Sequence, residues 1–124
     1  MIVVTFNGKQ QEVSSIEQFG VALDHFDQVE EFEVWLSASQ GQAICMLRNG
    51  SNAWLMYLRH DGDAGFTSQA ETGCPGVVSY TLSNGQVDEY PLSWCIEVEQ
   101  CYIALAYFFV NEGGKPEWVS WHEN

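Results

Sequence analysis

An α+β fold, with helices packed on a mostly antiparallel sheet, is predicted by three features of this 124-residue chain. Apolar strand formers recur in short runs, Asn-Gly turns separate several of them, and two stretches carry apolar residues spaced at three and four. A short N-terminal helix and a buried C-terminal helix are expected to lie on the sheet. A chain of this length forms one domain over residues 1–124, and its 46% hydrophobic and 14% aromatic content offsets chain entropy.

The elements follow in order. Residues 2–6 and 10–13 flank Asn7-Gly8-Lys9 and predict a hairpin, because Asn-Gly adopts the positive φ angles of a tight primed turn. Ser15 with Gln18 forms a capping-box pair, and Ile16, Phe19 and Leu23 share a face, so a short helix is expected over residues 15–26. Residues 27–31 form an acidic turn. In residues 32–38, Phe32, Val34 and Leu36 alternate with Glu33, Trp35 and Ser37, which predicts a strand with one wetter face. Residues 42–47 and 52–59 flank Asn49-Gly50, and the run Ala53 to Leu58 is apolar on both faces, as a central strand covered on both sides requires.

After a loop at residues 60–65, residues 66–70 predict a short strand, and residues 71–76 form a second loop rich in breakers. Residues 77–82 and 86–90 pair across Ser83-Asn84-Gly85, and Pro91 ends the hairpin. Val98, Cys101, Tyr102, Leu105, Phe108 and Phe109 predict a helix over residues 97–111, stopped by Gly113-Gly114 as a left-handed cap. Residues 117–121 read as a final strand that places Trp118 and Trp121 on opposite faces, so at most one is free for a partner.

Charge is the strongest compositional signal. Seventeen acidic residues face only Lys9, Arg48, Arg59 and Lys115, for a formal charge of −13. Such a field repels phosphate backbones and anionic headgroups and speeds encounter with a basic partner, which argues against nucleic acid or a membrane as direct ligand. The start of the chain lacks a basic segment followed by a long apolar one, and the longest apolar run, residues 101–110, is too short to span a bilayer, so a cytoplasmic location is expected. In a reducing cytosol Cys45, Cys74, Cys95 and Cys101 remain thiols.

Catalytic and metal motifs are missing. The closest cysteines, Cys95 and Cys101, have five residues between them, and His25, His60 and His122 are scattered, so neither metal nor cofactor is expected. His60-Asp61-Gly62-Asp63 begins like a calcium loop, but Thr72 stands where the closing Glu belongs. No nucleophile elbow, P-loop or dinucleotide fingerprint occurs, and Cys74 has no basic neighbour in sequence to activate it. No catalytic residue is therefore assigned. The acidic residues Asp27, Glu30, Glu31 and Glu33, with Asp61, Asp63 and Glu71, are the candidate partner-binding set, and Asp88, Glu89 and Tyr90 a further one.

The segment from Ala104 to Trp121, ALAYFFVNEGGKPEWVSW, resembles the C-terminal signature of the first-numbered immunity family of bacterial polymorphic toxin systems. In that pattern a helix ending in paired aromatics meets a turn with a basic residue and proline, then a strand closing on tryptophan. Phe108, Phe109, Pro116 and Trp121 match it. The run Ala53 to Tyr57, then Asp61-Gly62, then Phe66-Thr67-Ser68 resembles the family's central strand, turn and following strand more loosely. The resemblance implies a scaffold that binds one toxin, often a nucleic-acid deaminase, in a 1:1 complex that occludes the toxin's active site or substrate groove. It carries over no contact residue. Two other classes stand beside it: an acidic DNA mimic that inhibits several DNA-binding proteins, and a small hydrolase, which needs a concave pocket of converging polar groups.

Overall fold

The computed structural model describes residues 1–70 and 73–124. Strand β1 (Ile2–Phe6) turns at Asn7-Gly8 into β2 (Lys9–Gln11), with Asn7 at φ 48° and Gly8 at φ 81°, as the primed turn demands. Helix α1 (Ile16–Phe26) starts where expected. Ser15 is extended, and its hydroxyl accepts the Gln18 N–H at 3.1 Å, while the Gln18 side chain reaches back to the Ser14 N–H at 2.7 Å.

Strands β3 (Glu31–Ala38), β4 (Ala43–Asn49), β5 (Asn52–Leu58), β6 (Phe66–Ser68) and β9 (Trp121–Glu123) complete an antiparallel sheet of order β2-β1-β3-β4-β5-β6-β9. The hairpin β7 (Val77–Thr81) and β8 (Val87–Pro91) stands apart as a second, two-stranded sheet. A single 3-10 turn, Leu92–Trp94, leads from it to helix α2 (Val98–Val110). The two helices and the mostly antiparallel pairing make the α+β class that the sequence predicts.

Alternation along the strands assigns the two faces. Ile44 and Met46 of β4 and Ala53, Leu55 and Tyr57 of β5 point to the helical side, where they bury Phe19, Phe26, Cys101, Ala104, Leu105 and Phe108. Each fully buried Leu or Phe there contributes about 1.5–3 kcal/mol. Cys45, Leu47 and Trp54 point the other way and are buried with Tyr80 of the β7–β8 hairpin. Helix α2 is apolar on its outer side as well, with Ile103 58% and Val110 60% exposed and Tyr107 set edge-on to Trp118 at 5.2 Å. No helix among the described residues is long and apolar enough to cross a membrane.

Strand ends shift by one or two residues, as in β2, which is Lys9–Gln11 instead of 10–13, β6, which stops at Ser68 instead of residue 70, and β8, which includes Pro91; two further boundaries differ in kind. The left-handed position that ends α2 falls on Glu112 (φ 51°), one residue before the expected glycine, and the Gly113 N–H closes the turn on the Phe108 carbonyl at 3.0 Å. Gly113 is still required, since a Cβ there would lie 2.8 Å from the Ala38 Cβ. The last strand is Trp121–Glu123 instead of residues 117–121. The Pro116 carbonyl accepts both the Val119 N–H at 3.4 Å and the Trp121 indole N–H at 2.8 Å, which bends the chain through a turn before Trp121 pairs with Ser68. Trp118 therefore sits on that turn, half exposed, and Trp121 is partly buried beside Tyr57.

Ser68 joins the layers. It is fully buried; its hydroxyl accepts the Leu55 N–H at 2.9 Å and donates to the Trp94 carbonyl at 2.8 Å, linking β5, β6 and the 3-10 turn. Ser68→Ala leaves a buried N–H and a partly buried carbonyl without that partner, so it is expected to lower unfolding free energy by about 1–3 kcal/mol. Urea denaturation followed by tryptophan fluorescence measures the loss.

Candidate functional site

The hairpin covers only part of the sheet face it packs on. It is held from below by two carboxylates of β3: Glu31 accepts the Thr81 N–H at 2.7 Å and Glu33 the Ser83 N–H at 3.0 Å. The Asn49 side chain donates to the Ser79 carbonyl at 2.8 Å. These contacts replace the ladder that the hairpin does not share with the main sheet. Between hairpin and sheet remains a cleft of about 440 Å³.

Its floor is the face that alternation turned away from the helices: Glu33 and Trp35 of β3, Cys45 and Leu47 of β4, Trp54 and Met56 of β5, and Thr67 of β6. Leu82, Tyr90 and Trp94 form one wall, and Ala64 with Asn124 the opposite end. Trp54 lies 4.9 Å from Tyr90 and 5.0 Å from Trp94 between ring centroids, and Tyr90 stacks on Trp94 at 5.5 Å, so three rings form one packed cluster in which Trp54 is buried and Tyr90 and Trp94 are partly exposed. The Trp54 indole N–H is buried and has no acceptor among the described residues.

Glu33 is the one carboxylate side chain lining the cleft among the described residues. Partial burial pushes its pKa up, but Ser83, through its N–H and its hydroxyl, and the Trp35 indole N–H at 3.0 Å outweigh that and hold it below the ordinary range. It is ionised at neutral pH. Burial, reinforced by Glu33, drives Cys45 well above its usual value, so this cysteine stays a thiol and offers no nucleophile. Tyr90 is also raised, by burial and by the bond its hydroxyl donates to Asp88 at 3.0 Å. Aromatic faces, one fixed negative charge and one free donor are the chemistry of binding.

The acidic candidates fall into two groups. Asp27, at the end of α1, accepts from Tyr102 at 2.8 Å and Arg48 at 2.7 Å, and those bonds lower its pKa. Asp63 is gripped by Arg59 at 2.9 Å through both oxygens, which holds it far below the carboxylate range. Glu31 and Glu33 anchor the hairpin, and Asp88 accepts from Gln86 at 2.7 Å as well as from Tyr90. Glu30, Asp61 and Glu89 are exposed and have no side-chain partner among the described residues. Glu71 lies outside the described residues.

The structure brings Glu31, Glu33, Asp88 and Tyr90 together around the hairpin, while the loop carrying Asp61 and Asp63 meets the cleft at its far end through Ala64. The sequence did not single out Trp35, Trp54 or Trp94. Their signal was present: Ala53 to Leu58 is apolar on both faces, whereas only one face could be assigned to helices. No protein-family model and no curated protein matches the chain.

Glu33 supplies a pH test. A carboxylate with a depressed folded value contributes stability above the unfolded value, ordinarily 4.5, and loses it as pH falls through the folded one. Urea midpoints of the protein and of Glu33→Gln should therefore differ most at neutral pH and converge in acid. Comparing the two cancels the discharge of the other carboxylates; a gap that does not narrow would remove Glu33's charge from the hairpin's attachment.

Proposed function

We propose that this protein is an immunity protein, a stoichiometric inhibitor that binds a toxin with a basic surface and occludes its active site or substrate groove. A nucleic-acid deaminase is the toxin class that the resemblance of residues 104–121 favours. The observation that carries the proposal is how few of the 17 acidic side chains are neutralised internally, which leaves the formal charge of −13 on the domain. Three of the four basic side chains are already paired: Arg48 with Asp27, Arg59 with Asp63 and Glu123, and Lys115 with Glu117 at 4.0 Å.

Glu12, Glu17, Asp24, Glu30, Asp61, Glu89, Glu97 and Glu99 remain exposed and form no ion pair among the described residues. Unpaired acids on many sides of a small domain produce a field felt beyond contact. Steering of this kind raises association rates to about 10⁸–10⁹ M⁻¹s⁻¹ at low salt, against about 10⁵–10⁶ for a neutral pair. A toxin that acts on nucleic acid carries the complementary surface. Beside the exposed Glu30 and Glu89, the aromatic cleft supplies what charge alone lacks, a desolvated centre of Trp and Tyr of the type that dominates binding energy.

Titration calorimetry against the C-terminal domain encoded by the adjacent gene, assayed for toxin activity, tests the proposal. Tight 1:1 binding that abolishes toxin activity is expected, and no binding would refute it. Comparable binding to unrelated DNA-binding proteins would instead favour a DNA mimic. Asp61→Lys and Glu89→Lys should each slow association several-fold at low ionic strength and leave dissociation nearly unchanged, as rim charges do. Stopped-flow kinetics reads both rates. Asp63 is the wrong residue for this test, because Arg59 holds it and its reversal would disrupt the loop.

A further inference from the structure

We infer that the aromatic cleft is a receptor for one arginine side chain presented by the partner, an inference that rests on reading the protein as an inhibitor of a basic toxin and names the contact at its centre. Three observations converge on that ligand. Tyr90 and Trp94, both partly exposed, pack on the buried Trp54 with centroids 4.9–5.5 Å apart and give an aromatic lining to a cavity of about 440 Å³. Glu33 places an ionised carboxylate in the same cavity. The buried Trp54 indole N–H lacks an acceptor among the described residues.

A flat cation with an apolar stem answers the first two. Guanidinium stacks on indole and phenol faces, bonds carboxylates through a fork of donors, and is more weakly hydrated than ammonium, so it loses less on entering an apolar cleft. Glu33 accepts from the Ser83 N–H, the Trp35 indole and the Ser83 hydroxyl, fewer than the about four bonds a carboxylate can take, so it has capacity for another donor.

The third observation selects an arginine within a chain over a free cation. Guanidinium has no acceptor to give the Trp54 N–H, whereas a peptide carbonyl beside it does. No Lys or Arg of this chain lines the cleft, so the negative charge there is not already answered from within. A nucleobase would also stack on such walls, but its phosphate would meet a field of −13 charges.

The test uses the intact protein labelled with ¹⁵N and three blocked tripeptides, acetyl-Gly-X-Gly-amide with X as arginine, citrulline or leucine. Citrulline keeps the shape of arginine and removes its charge. The arginine peptide should shift the indole N–H signals of Trp35 and Trp54 saturably, leave those of Trp118 and Trp121 in place, and bind about tenfold more tightly than the citrulline peptide, the worth of one charge-assisted bond. Glu33→Gln should erase that preference; its thermal midpoint checks that it is folded, and the wild-type comparison stands without it. Equal binding of citrulline or leucine would make the cleft a simple apolar anchor, and unshifted Trp35 and Trp54 signals would exclude occupancy; either overturns the inference. Because no toxin is present, both results are independent of whether the calorimetric test of inhibition succeeds.

Discussion

The β4–β5 pair is apolar on both faces, and most of the molecule is a response to that constraint. Ile44, Met46, Leu55 and Tyr57 require one cover, and Cys45, Leu47 and Trp54 require another. The helices close the first side, with Phe19 and Phe108 wholly buried. The second side is closed by a two-stranded hairpin, which is too narrow for the sheet beneath it, and the uncovered remainder is the cleft. The cleft is thus what an incomplete layer leaves behind, lined by the same kinds of residue, Trp, Tyr and Leu, that fill a core.

Attachment of that hairpin combines the burial of Tyr80 against Cys45, Leu47 and Trp54 with polar bonds. No ladder bonds it to the main sheet, so backbone N–H groups of Thr81 and Ser83 go to the carboxylates of Glu31 and Glu33. Charge-assisted bonds to backbone donors are stronger than neutral ones, and they place negative charge at the cleft without a cation beside it. The acidic residues of this chain therefore do two kinds of work. Asp27, Glu31, Glu33 and Asp63 hold the structure together, and residues such as Glu30, Asp61 and Glu89 face water.

Most elements were legible because their signals are local. The Ser15–Gln18 cap, the Asn7-Gly8 turn and the 3–4 spacing in α2 each depend on residues within a few positions of one another. The end of the chain was less legible. Alternation from Trp118 to Trp121 resembles a strand, but the Pro116 carbonyl binds the Trp121 indole and pulls that stretch into a turn, a contact that periodicity does not encode. The site was half legible: an acidic run at β3 is visible in sequence, whereas its division into anchors and free charges depends on Thr81 and Ser83, fifty residues away. The apolar double face of β5 pointed to a second layer but could not say that the layer would be incomplete.

Two surfaces compete for a partner in this structure: the hairpin face, with its cleft and carboxylates, and the outer side of α2, with Ile103 and Val110 exposed. The proposed inhibitor would use the hairpin face, where the Glu33 carboxylate and the Tyr90 and Trp94 rings coincide. Hydrogen–deuterium exchange of the protein alone and in complex with the toxin domain separates the two most directly. Slowed exchange at residues 79–90 and in the loop around Asp61, with α2 unchanged, is the predicted result. Slowed exchange confined to α2 and the turn at Trp118 would contradict it.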